Sequence, residues 1–130
     1  MTVLSNEARY HFSDFTRDNY RLLLRLAKRH YAVRTFDDLS DARRFIILRH
    51  DVDSSLNAAL KMARIEQEEG VVATYFLHLH NVLYNVLERD MTGLVSSILA
   101  CGHKIGLHFD PSSPVTMICF HGSASSTTSL

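Results

Sequence analysis

Residues 45–53 read FIILRHDVD, and this stretch decides the fold. Phe45, Ile46, Ile47 and Leu48 run without a polar break and then give way to Arg49, His50, Asp51 and Asp53. A continuous apolar run of this length is the pattern of a strand buried on both faces, as in a parallel sheet or barrel. In parallel α/β folds, sites collect where strands end and loops begin, so two carboxylates one residue apart at that point form a candidate active site. In an extended chain Asp51 and Asp53 point the same way, and His50 points the other way, which suits packing or support behind a ligand. The competing reading is that Asp51 or Asp53 caps the helix that follows.

Outward from this strand the chain alternates between helical and extended patterns. Downstream, Ser54 or Ser55 can cap a helix whose Leu56, Ala59, Leu60 and Ala63 form one stripe, with Arg64 and Glu68 paired at i, i+4 and Gly70 at its end. VVATYFLHLH, residues 71–80, is β-branched and aromatic and reads as a second buried strand, completing a βαβ unit. Asp90 can cap a third helix carrying Met91, Leu94, Val95 and Ile98. Gly102 ends it, and HKIGLHF, residues 103–109, supplies a third strand. Upstream, Thr16 is positioned to cap an amphipathic helix with Tyr20, Leu23, Leu24, Ala27 and Tyr31 on one face and Phe15 and Tyr20 at the staple positions. A short strand is expected over 33–36 and a polar connection over 37–44. The pattern divides the chain into an N-terminal extension (1–14), an α/β domain (15–121) and a tail (122–130) with the composition of a disordered end.

Composition narrows the function classes. The 130 residues suggest one domain able to bury its own core. With 14 basic and 14 acidic residues there is no nucleic-acid footprint. No run approaches the roughly 20 apolar residues of a membrane span, and no secretory signal opens the chain. The cytoplasm is therefore the expected compartment, and Cys101 and Cys119 are read as reduced thiols. The eight histidines are the unusual count, because histidine is the commonest metal ligand.

Three groups stand at strand ends: Asp51 with Asp53, His108 with Asp110, and His121. If the strands are parallel neighbours, these ends converge. One carboxylate and two imidazoles make a common shell for Zn²⁺ or a similar ion, beside which a second carboxylate can act as general base. Asp53 as ligand and Asp51 as base fit that division. Capping and ordinary polar strand ends are the alternative. His78 and His80, at i, i+2, form a competing constellation, but they are read here as loop histidines near the mouth. His11, His30 and His103 are read as surface residues, and Cys101 as a small buried hydrophobe.

RHDVD after a strand, then a capped helix, GVVATYF and GHKIGLHFDP, resemble the polysaccharide deacetylase (NodB-homology, carbohydrate esterase) superfamily, particularly its branch with a DxD first motif. The segment FTRDNYRLLLRLAKRHYAVRTFDD is similar to that family's N-terminal part, so the likeness covers residues 15–111. It implies the N-terminal half of a distorted (β/α) barrel, a divalent metal (Zn²⁺, with Co²⁺ or Ni²⁺ as substitutes) and hydrolysis of an N-acyl group from an amino sugar or glycan, or of a related non-peptide C–N bond. By position it places Asp51 as catalytic base and Asp53, His108 and His121 at the metal, with Arg49, His50 and Asp110 toward the substrate. Ser112 stands where the usual motif has a second histidine, and Gly122 and Ser123 follow His121 where arginine and proline would be. No room remains between Pro111 and Pro114 for a helix. These departures imply a truncated barrel whose open edges favour self-association, and they leave a catalytically impaired remnant that binds only a metal or partner as the alternative function.

Overall fold

A computed structural model describes residues 12–39, 44–79 and 81–108. After a 3₁₀ turn at Phe12–Phe15 the described elements are α1 (Arg17–His30), β1 (Ala32–Arg34), β2 (Phe45–Val52), α2 (Leu56–Glu68), β3 (Ala73–Leu77), α3 (Arg89–Ala100) and β4 (Lys104–Leu107). The strands form one parallel sheet in the sequential order β1-β2-β3-β4. The fold is therefore α/β, and its parallel sheet is compatible with a partial (β/α) barrel.

Local chemistry sets the helix boundaries. The Thr16 hydroxyl accepts from Asn19 N (3.2 Å) at the start of α1, and the Ser55 hydroxyl accepts from Ala58 N (3.2 Å) at the start of α2, each satisfying one otherwise orphaned donor. Gly70 (φ 67°) and Gly102 (φ 91°) turn the chain out of α2 and α3 in the left-handed conformation that glycine adopts without a Cβ clash. Two sequence expectations about helix starts need correction. Phe15 is 88% exposed and Tyr20 turns to Glu66, so the hydrophobic staple is not made. The N-cap of α3 is Glu88, with no side-chain capping bond, so Asp90 lies within the first turn.

Helices cover one face of the sheet. Leu56, Ala59, Leu60 and Ala63 of α2 are all buried, together with Val52, Ala73, Tyr75, Leu77, Tyr84 and Ile98. A second cluster joins Leu24 of α1 to Ile65 and Val71. Leu23 is 53% exposed, so the packed face of α1 runs through Tyr20 and Leu24. The expected Arg64–Glu68 pairing is replaced by bonds between helices: Arg21 reaches Glu68 at 2.6 Å, and Arg25 grips Glu69 with two N–H groups at 2.9 and 2.7 Å. The opposite face of the sheet is not sealed among the described residues. Phe45 is 43% exposed, and Arg49 and Asp51 are exposed, so β2 is not buried on both faces as its apolar run suggested.

Beneath the sheet lies a polar knot. Glu66 is fully buried. Its Oε1 accepts from Tyr20 Oη (2.5 Å) and from His50 Nε2 (2.5 Å), and its Oε2 accepts from Tyr75 Oη (2.6 Å). Burial pushes this carboxyl up, but the bonds from His50, Tyr20 and Tyr75 outweigh it and hold it below the usual glutamate range. Burial, and after it the bond to Glu66, pushes both phenols up, so they stay protonated. His103, read from sequence as a surface residue, is buried. Its Nδ1 accepts from Ala73 N (3.1 Å), so its Nε2 carries the proton donated to Ala63 O (2.8 Å). The 3.8 Å approach of that Nδ1 to Glu66 is therefore a contact between two acceptors and not an ion pair.

Gly93, inside α3, has nothing within 4 Å of the position a Cβ would take. Gly93→Ala should therefore raise the unfolding free energy by about 1 kcal/mol, measured by urea denaturation.

Candidate metal centre

Strand register builds the site. Asp51 pairs with Phe76, and Val52 with Leu77, across β2 and β3; Phe76 pairs with Gly106, and Leu77 with Leu107, across β3 and β4. The next residue on each strand lies one step beyond the last pair: Asp53, His78 and His108. Three consecutive parallel strands thus deliver a carboxylate and two imidazoles in one row at the C-terminal edge of the sheet, with Asp51 two residues behind Asp53 on the same face.

The side chains converge as the register requires. His78 Nε2 lies 3.2 Å from Asp53 Oδ1, and His108 Nε2 lies 4.0 Å from the same oxygen. One ligand atom from each residue falls within 4.8 Å of the other two. Ligands about 2.1 Å from a tetrahedral zinc are roughly 3.4 Å from one another, a separation that the first two distances bracket. The two imidazole rings stack with centroids 4.0 Å apart at 30°. Neutral imidazole is the form that binds a metal. His108 Nδ1 is buried without a hydrogen-bond partner among the described residues. On donor chemistry and spacing the trio fits a divalent cation.

Asp51 stands beside it. Its Oδ2 is 3.5 Å from His108 Nε2, and Arg49 clamps the carboxylate from behind, Nε to Oδ1 at 2.8 Å and Nη2 to Oδ2 at 3.2 Å. Arg49 is the largest influence on Asp51 and, with His108 adding to it, holds the carboxyl below the usual aspartate range. The guanidinium lies 4.4 Å from the centre of the Phe76 ring, against whose edge Phe36 packs at 5.8 Å. Gly106 makes room for that ring, since a Cβ there would sit 2.6 Å from it. Beside Asp51 and Asp53, toward the start of α2, is a cavity of about 200 Å³ lined also by Ser54, Ser55, Ala58 and Met62.

Of the residues named from sequence, Asp51, Asp53, His108 and Arg49 are thus brought together. His50 turns to the helix side and spends its Nε2 on Glu66. Asp110, His121 and His80 lie outside the described residues. His78 is the residue that sequence reasoning set aside. β3 does end before it, as expected for a histidine at the mouth, but the ring is half-buried and bonded to Asp53. Aligning the strands by their last apolar residues, Val52, Leu77 and Leu107, would have exposed the Asp–His–His row.

No family model, curated protein or solved structure matches this chain. Among the described residues no helix is long and apolar enough to cross a membrane.

Proposed function

We propose that the protein is a metal-dependent hydrolase of the polysaccharide deacetylase type, removing an N-acyl group from an amino sugar or cleaving a related non-peptide C–N bond. Asp53, His78 and His108 hold the cation, Zn²⁺ by preference with Co²⁺ or Ni²⁺ as substitutes, and Asp51 is the base. The observation that carries this reading is the convergence of those three donors from three adjacent strands, with a second carboxylate, Asp51, 3.5 Å from one of them. A divalent cation there would polarise the acyl carbonyl and acidify water. Asp51, kept ionised by Arg49, takes a proton from the attacking water as its oxygen bonds to the acyl carbon, and returns that proton to the amine nitrogen as the C–N bond breaks. The two guanidinium N–H bonds fix the orientation of its carboxylate. The sugar would lie along the open sheet face beside the row.

The test is acetate release from N-acetylated amino sugars by the full chain with added Zn²⁺ or Co²⁺, alongside its melting temperature. Release is expected, together with stabilisation of about 2.7 kcal/mol at a hundredfold excess of metal over Kd; both should vanish in Asp53→Ala. The absence of both release and stabilisation would overturn the reading. Stabilisation without turnover, unchanged by Asp51→Asn, would reduce the protein to a cation-binding remnant.

A further inference from the structure

We propose that Tyr84, assisted by Asn81, is a positioning residue that holds Asp53 and His78 at cation-binding distance; the inference rests on the Asp53–His78–His108 row being a cation site. The need for such a device follows from the topology. β2 ends at Val52 and β3 at Leu77, so Asp53 and His78 belong to chain that has left the sheet, where no ladder bond fixes one against the other. His108 differs, because its own N–H still donates to Leu77 O at 2.8 Å.

One hydroxyl closes the gap between the other two. Tyr84 Oη donates to Val52 O (2.6 Å), the carbonyl immediately before Asp53, and accepts from His78 N (3.0 Å). It supplies the cross-strand link that the next step of the ladder would have made. Asn81 adds a second tie, its Nδ2 donating to Asp53 O at 2.8 Å while its Oδ1 accepts from Leu83 N at 2.9 Å and so holds the side chain in place. The Tyr84 ring is buried in the main core with Val52 and Leu77, so packing fixes where the hydroxyl sits. Of its neighbours, Val82, Leu83 and Leu87 are exposed and Val86 is partly buried against the same core, so Tyr84 is the buried anchor of this loop. Tyr84 does not touch the cation position; it acts through the backbone of the ligands that do.

Tyr84→Phe keeps the ring and removes only the hydroxyl. Tyr75→Phe is the control, deleting another buried phenol that donates to Glu66, away from the row. Both variants should lose stability. In Co²⁺ titrations of the full chain, Tyr84→Phe should bind about 10–100-fold more weakly than the wild type, the usual effect of losing a ligand's supporting bond, and Tyr75→Phe should bind as the wild type does. In the metal-free protein, the His78 amide should exchange with solvent faster in Tyr84→Phe relative to the His108 amide, and keep its relative rate in Tyr75→Phe. Cobalt bound equally by the wild type and Tyr84→Phe, or equal losses in the two variants, would overturn the positioning role alone, as would an unchanged relative rate for the His78 amide. A wild-type chain that binds no cobalt would overturn the cation reading and this inference with it.

Discussion

Glu66→Ala should destabilise the protein by about 3–5 kcal/mol, the cost of stripping one member from a buried, hydrogen-bonded charge network. The size follows from what is left behind. Tyr20 and Tyr75 would each keep a donor with nowhere to send it, His50 would lose the acceptor for its Nε2, and a void would open where α1, α2 and the sheet meet. Against the 5–15 kcal/mol total of an ordinary domain, that is enough to leave much of the chain unfolded. Glu66→Gln is the milder change: one oxygen still accepts, but the new amide faces a donor, and a loss nearer 1–3 kcal/mol is expected. The pH dependence has a definite sign. The carboxyl is held below its ordinary value in the folded state, so its contribution is fully present above about pH 4.3, the unfolded glutamate value. It is lost as pH falls through the lower folded value. Urea midpoints of the wild type and Glu66→Gln should therefore differ most near neutrality and draw together in acid. A constant gap down to strongly acidic pH would show that the network does not depend on the charge.

This network also marks where the sequence could and could not be read. Most strands and helices were legible because they announce themselves locally: an apolar run, a serine or threonine followed by an amphipathic stretch, a glycine at the exit; the start of α3 does not, since Glu88 makes no side-chain cap there. Glu66 sits in IEQEEG and looks like part of a solvated face. Yet it lies three residues beyond Ala63, on the continuation of the buried stripe Leu56–Ala59–Leu60–Ala63, and that spacing was its one visible signal. His103 gave none. Its partners are the backbone groups of Ala63 and Ala73, 40 and 30 residues away, and no side-chain pattern reports a backbone acceptor. The acids of the site were legible because they follow the apolar run directly. His78 was not, because its meaning depends on register between strands, which a single strand does not encode.

The largest kinetic effect is expected from Asp51→Asn. The substitution is nearly isosteric but cannot take a proton, and hydrolysis should fall by about 10²–10⁴-fold, the usual contribution of a positioned base. Co²⁺ affinity should fall far less than in Asp53→Ala, because Asp51 approaches the row only through His108 at 3.5 Å. The pH profile then separates a base from a merely nearby acid. A general base works when deprotonated, and Arg49 keeps Asp51 deprotonated to below the usual aspartate value of about 3.9. The acid limb of kcat/KM should therefore lie low, in the range where loss of the Glu66 charge begins to unfold the chain, so folding has to be monitored in the same samples. Arg49→Met removes both bonds to the carboxylate and the stacking on Phe76. The limb should then move upward, toward the ordinary aspartate value. An acid limb that stays in place in Arg49→Met while the protein remains folded would mean that the titrating group is not Asp51, and the base would have to be sought elsewhere along the sheet edge.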